Sequence, residues 1–461
     1  MHKNLLRAAL VLIAAISVVA QQGRAVGDWP SAERLREHVT YLASDKLEGR
    51  RTGTAGARLA AEYIVREFAR YRLRPAGSQV GEDSRYMQQF PFVAGVALGK
   101  ENVMLFTPRL SPLTSATNQT PDGTKSASSL DLRLGEDWMP LGFSASRKLL
   151  DAPATFVGYG ITAKDLNYDD YAGTGISGRI AIAFDGTPNG DNPHGKFARY
   201  EGARWKAIAA REAGALALVV IAREENFKDE PLARLRYDNS AGDAGLPVVV
   251  ISRQAAARIL SQGGLPTPLA ELEKIARSVT PKTPGASPSG NPVIQQNLAS
   301  LLANLMLSIS TDIERRNAPA SNVVGILEGT DPKLKNEAIV IGAHYDHLGR
   351  GGEGSLAQRE GEVHHGADDN ASGVAGMLEL ARLFSTFRPQ RTIVFIAFSG
   401  EEEGLLGSNY YVNHPVVPLA QTVAMINMDM IGRLKDNKLM VGGVGTSQEW
   451  RSWIESANVP F

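Results

Sequence analysis

The chain has 461 residues, 43% of them hydrophobic and 21% charged, with 46 glycines and 24 prolines that follow no period. Those values exclude a wholly disordered chain and a collagen-like repeat, and at about 150 residues per domain they suit two or three domains. The 49 basic residues balance 49 acidic ones, so no net field argues for nucleic acid, and the lack of cysteine excludes disulfides, thiolate metal sites, cysteine nucleophiles and a lipobox anchor.

Residues 1–25 have the layout of a secretory signal peptide. Lys3 and Arg7 precede an apolar run from Ala8 to Ala20, and small or apolar residues lead up to Gln21. The run has 13 residues, fewer than the roughly 20 a spanning helix needs. No later stretch is long and apolar enough to span a membrane. The expected destination is therefore secreted or periplasmic.

Residues 31–71 predict two helices around one loop. Leu35, Val39 and Leu42 recur at helical spacing, as do Ala60, Ile64, Val65 and Phe68. The Glu48–Gly56 segment between them is too rich in Gly and Thr for a helix. Residues 72–130 show little periodicity. From about 135 to 285 short apolar runs predict strands at Ala154–Tyr159, Ile180–Phe184, Ala215–Ile221 and Pro247–Ile251, with one helix at Ala203–Ala213. This reads as a small strand-rich domain over 135–290, left through a Pro/Ser/Gly-rich linker at Ser278–Gly290.

The last third alternates. Strands are predicted at Ala338–Ala343, Arg391–Phe398 and Ala424–Met428, and helices around Val374–Phe384 and Gly404–Tyr411. Such alternation predicts an α/β domain with a mainly parallel sheet flanked by helices, whose ligands sit beyond the carboxyl ends of its strands. Acids and histidines gather at those ends. His344 and Asp346 share a face of an extended chain, so a metal-bound imidazole could be oriented by the carboxylate. A solvated polar turn would look the same. Asp368 and Asp369 could hold cations, or merely complement the dipole of a helix that Asn370 caps. Glu401, Glu402 and Glu403 could supply a ligand and a base, or a solvated helix start. Asp429 lies between Met428 and Met430 and needs a metal or an ion pair such as Arg433. Taken together, His nitrogens and carboxylates suit zinc and metal-assisted hydrolysis.

Four segments carry a resemblance: Ala343-His-Tyr-Asp-His-Leu-Gly349, Gly366-Ala-Asp-Asp-Asn-Ala-Ser-Gly373, Gly400-Glu-Glu-Glu-Gly-Leu-Leu-Gly-Ser408 and Asn427-Met-Asp-Met-Ile-Gly432. In order and spacing they resemble the dizinc aminopeptidase family, which includes secreted bacterial leucyl aminopeptidases, glutamate carboxypeptidase II and the transferrin receptor ectodomain. The resemblance implies a zinc peptidase domain over 26–134 and 291–461, with 135–290 similar to a protease-associated insert. It implies that His344 and Asp429 hold one zinc, Asp368 bridges two, Glu402 holds the second, Glu401 is the general base and Asp346 orients His344. It implies a cis peptide between Asp368 and Asp369, and peptide substrates. It also implies a late histidine at the second zinc. Only 32 residues (461 − 429) follow Asp429, none of them histidine, so the expectation is a truncated C-terminal part in which His364, His365 or His347 could substitute. The expected activity is removal of N-terminal residues from peptides. The alternatives are a glutamate-releasing carboxypeptidase, using cations such as Arg50 or Arg51 for a substrate carboxylate, and a non-catalytic binding ectodomain.

Overall fold

Ser31 starts helix α1 (Ala32–Leu42) by accepting the Arg34 N–H on its hydroxyl, and Thr54 starts α2 (Ala55–Arg70) by accepting that of Ala57. Both helices fall where the apolar spacing predicts them. The structure is a computed structural model that describes residues 30–77, 83–108, 129–190, 192–229, 235, 242–262, 268–277, 305–352, 355–357, 359–434, 436 and 438–459. The expected signal peptide and the Ser278–Gly290 linker lie outside the described residues. Among those described, no helix is long and apolar enough to cross a membrane.

The chain divides into two compact units, residues 1–90 with 319–461 and residues 91–318. In the first, β1 (Ile313–Leu327, whose residues from 319 on lie in this unit), β2 (Ala338–His344), β3 (Thr392–Phe398) and β4 (Thr422–Asn427) alternate with α3 (Gly373–Phe387) and α4 (Leu406–Asn413). The sheet order is Arg74–Pro75, β1, β3, β2, β4. Strands β3, β2 and β4 are parallel, with His344 level with Phe398 and Gly342 level with Asn427. Their carboxyl ends therefore share one edge, and the loops that follow carry the acids and histidines. Strand β1 runs antiparallel to β3, which makes the sheet mixed rather than mainly parallel. Residues 328–337 link β1 to β2 without the helix that a parallel crossover needs.

All seven residues of β3 are buried. Ile393, Phe395 and Ala397 pack with Leu42, Phe68, Val374 and Leu378 on one face, while Val394, Ile396 and Phe398 pack with Val324, Val340 and Tyr411 on the other. A strand covered on both faces reads as a continuous apolar run, as this one does.

The second unit has an eight-stranded sheet in the order Leu130–Leu132, Val103–Pro108, Leu305–Thr311, Arg147–Phe156, Ile180–Phe184, Ala217–Ile221, Val248–Ile251, Trp138–Pro140. Its central pairs, from Arg147–Phe156 to Val248–Ile251, are parallel. Among the described residues, three helices accompany it, at Ala203–Glu212, Arg253–Gln262 and Leu269–Arg277. This unit starts before 135 and ends after 290, because Val103–Pro108 pairs with Leu305–Thr311 across some 200 intervening residues.

Phe395→Ala would empty the middle of the first core and should cost about 3–5 kcal/mol. Chemical denaturation checks this; a midpoint equal to that of the parent would remove Phe395 from the core.

Candidate metal centre

Strand β2 delivers His344 at its end, buried, with Asp346 and His347 buried in the turn that follows. The His344 Nδ1–H donates to the Asp346 carbonyl at 3.2 Å, since a carbonyl can only accept. The other ring nitrogen, Nε2, faces Asp369 Oδ1 at 3.3 Å and Asp429 Oδ1 at 3.4 Å. His347 Nδ1 lies 2.6 Å from Glu402 Oε1 and 3.8 Å from Asp369 Oδ2. Two sets of three donors result, His344–Asp369–Asp429 and His347–Asp369–Glu402, each with its ligand atoms within 4.8 Å of one another. Asp369 belongs to both.

This shifts the expected bridging position by one residue. The Asp368 carboxylate instead meets Arg433 Nε at 3.1 Å and accepts the Gly432 N–H at 2.9 Å. The cis peptide lies between Asp369 and Asn370, not between Asp368 and Asp369. The turn before α3 starts at Gly366, whose φ is +57°, and a Cβ there would come within 2.6 Å of the His347 ring. A two-residue acidic run gives no local sign of which carboxylate such a turn presents inward.

Asp346 lies where an orienting residue is expected, but its carbonyl makes the closer contact with His344. Its carboxylate is 3.8 Å from Nδ1. That carboxylate accepts the Thr52 hydroxyl at 2.9 Å and the Glu401 and Glu402 N–H groups at 3.2 and 3.4 Å, so it also anchors the loop after β3. Asn370 serves the loop after β4. Its Oδ1 accepts the N–H groups of Gly373 and Met430, and its Nδ2 donates to the Met428 carbonyl, which brackets Asp429. Arg433 therefore pairs with Asp368 rather than with Asp429. Of the three candidate substitute histidines, only His347 stands in a donor set; His364 bonds the Arg359 carbonyl and His365 bonds Asp45.

Burial works against charge on His344, but Asp346 and Asp369, with Glu401, outweigh it and hold the imidazole up at about 11. His344 in turn draws the Asp369 carboxyl below its ordinary value, with His347 and Arg50 adding to the pull against burial. The centre thus favours positive charge where the six ligand positions converge, and imidazole with carboxylate is a donor chemistry that zinc accepts. Burial lifts Glu401 above the usual carboxylate range, helped by Glu402, Asp346 and Asp429 and opposed by His344. Glu401 lines a cavity of about 240 Å³ with His344, Asp429, Phe398, Leu405 and Met425.

Residues 322–461 match the sequence model of peptidase family M28. The matched stretch is 140 of the 461 residues. The chain is 37% identical over 134 residues to a probable zinc metalloprotease of Pyrenophora teres, covering 29% of this chain and 27% of the relative. It is 37% identical over 119 residues to aminopeptidase YwaD of Bacillus subtilis, covering 25% and 23%. It therefore spans under a third of the length of these relatives. Among solved structures, an aminopeptidase from Aneurinibacillus sp. strain AM-1 is similar over 87% of this chain and 70% of its own, at 20% identity and a TM-score of 0.42. All four motif segments from which the site is built fall inside the M28 match.

The two aspartates are separable by experiment. Asp369→Asn should empty both donor sets of tightly held zinc, whereas Asp368→Asn should retain it. Metal content after dialysis against a weak chelator checks this, and the reverse result would restore Asp368 as the shared ligand.

Proposed function

We propose that this chain carries a secreted, metal-dependent exopeptidase, a dizinc aminopeptidase that removes N-terminal residues from peptides. The observation that carries the reading is the pair of donor sets sharing Asp369, one of which puts His344 and Asp429 beside Glu401 on a cavity. His344, Asp369 and Asp429 would hold one zinc, and His347, Asp369 and Glu402 the other. Bound there, zinc would supply Lewis acidity toward the scissile carbonyl and toward water.

The protein's own part is positioning and proton transfer. Asp346 fixes the loop that carries Glu401 and Glu402 through their N–H groups. Glu401, whose carboxyl burial makes more basic than an ordinary carboxylate, is suited to take a proton from water and return it to the leaving amine. The cavity would take the substrate end, with Phe398, Leu405 and Met425 as apolar lining. Residues 91–318 would be the protease-associated insert, and the first 25 residues the signal for export.

The carboxypeptidase alternative loses the two arginines considered for it. Arg50 is 1% exposed and directs its guanidinium at backbone carbonyls, and Arg51 pairs with Glu403 at 2.9 Å.

Glu401→Gln should lower kcat by about 100- to 10,000-fold while zinc content stays that of the parent. A peptide with a free N-terminus should be cleaved by the parent, and the same peptide acetylated should not. Full hydrolysis by the variant would remove Glu401 as the base. Cleavage of the acetylated peptide together with protection by C-terminal amidation would replace the aminopeptidase reading with a carboxypeptidase.

A further inference from the structure

The loop between α1 and α2 contributes no ligand, yet three consecutive side chains in it reach three of the four loops that do. Arg50 Nε donates to the Tyr345 carbonyl at 2.9 Å, between His344 and Asp346. Its Nη1 donates to the carbonyls of Leu42 and, at 2.7 Å, His365, and its Nη2 donates to that of Gly366 at 2.9 Å. Arg51 pairs with Glu403. The Thr52 hydroxyl donates to Asp346 Oδ2 at 2.9 Å and accepts the Gly400 N–H at 3.0 Å, next to Glu401.

The backbone closes the same contact. The His347 N–H donates to the Arg50 carbonyl at 3.3 Å, and the Gly349 N–H to that of Gly49 at 3.0 Å. Gly49 has φ +72°, and a Cβ there would lie 2.5 Å from the Gly349 carbonyl oxygen and 2.6 Å from that of His364. The loop is therefore seated with no room for a side chain at that point.

A buried guanidinium needs a partner for nearly every N–H, and its planar fork fixes those donors in set directions toward carbonyls spread over three separate segments. Lysine would present its donors from a single point. Arg50 also lies close enough to Asp346, Asp369 and Glu402 for its charge to offset theirs. Its burial keeps it from touching a substrate.

We infer that Arg50, with Thr52, is a positioning residue of the metal centre: the guanidinium fixes the His344–His347 loop against the His365–Asp369 loop, and the hydroxyl fixes Asp346 against the loop of Glu401. The inference rests on the metal reading of the site given above. It predicts that loss of either anchor weakens metal binding without touching a ligand.

The test uses the whole chain, loaded with zinc or with cobalt(II), and the variants Arg50→Lys and Thr52→Val. Folding is followed by circular dichroism and denaturation, metal affinity by chelator competition, and ligand geometry by the cobalt absorption bands. Metal affinity should fall about 10- to 100-fold in a folded variant, the size of effect seen when partners of metal ligands are lost. The cobalt bands should shift, and kcat should fall more than KM rises. If Arg50→Lys does not fold, Thr52→Val decides, since it keeps the branched shape and exchanges the hydroxyl for a methyl group. Folded variants with the parent's metal affinity and cobalt spectrum would overturn the inference, even if their denaturation midpoints fell, because that pattern marks a purely structural role. His344→Ala is the control for the underlying reading: if it bound metal as the parent does, the metal centre itself would be wrong.

Discussion

Two carboxylates held within 4.8 Å of one another, as those of Asp369 and Asp429 can be, repel by roughly 3.5 kcal/mol or more at an effective dielectric of about 20. Asp346, Glu401 and Glu402 add to the same small volume. Much around the centre answers that repulsion. His344 and His347 face the carboxylates, N–H groups of Glu401 and Glu402 spend themselves on Asp346, and the buried charge of Arg50 stands behind the cluster. An acidic cluster with so many fixed answers in its own chain is built to be kept, and a divalent cation is the remaining answer that its donor geometry accommodates.

The sheet explains how the acids come to meet at all. Strands β3, β2 and β4 are parallel and nearly level, so three chain segments far apart in sequence end at one edge. Each hands its polar residues to a loop at the point where the apolar strand is finished. The interior thus stays apolar along Ile393–Phe398 while the charged groups begin at Glu401, three residues past its end. A metal centre placed midway along β3 would need charged residues on a strand whose seven positions are all buried in apolar contacts.

The elements were legible because their periods are local. Helices α1 and α2, the α3 face and the three parallel strands stand within a few residues of where apolar spacing places them. The four motif segments were legible because residue types that bind cations stand at strand ends. What could not be read depends on longer range or finer angle. Asp368 and Asp369 are adjacent and chemically identical, and only the turn at Gly366 decides which one points at the histidines. Arg50 stands in a loop rich in Gly and charge, which reads as exposed, and its burial follows from carbonyls offered by residues 42, 345, 365 and 366. The edges of the second unit depend on pairing between Val103–Pro108 and Leu305–Thr311, and neither strand carries a local sign of the other.

Ligands drawn from four segments raise a question of entropy. If the loops around His344, Asp369, Glu402 and Asp429 were free until a cation arrived, ordering them would be subtracted from the binding energy, at about 1–2 kcal/mol for each residue fixed. The hydrogen bonds within the protein remove most of that cost beforehand. Asn370 brackets Asp429, Asp346 holds the loop of Glu401 and Glu402, and Arg50 joins the remaining two. Each tie runs to a backbone group next to a ligand rather than to the ligand atom itself. The ligand atoms thus stay available while their positions are already set, which is the arrangement that lets a small set of carboxylates and imidazoles bind a metal tightly and in one geometry.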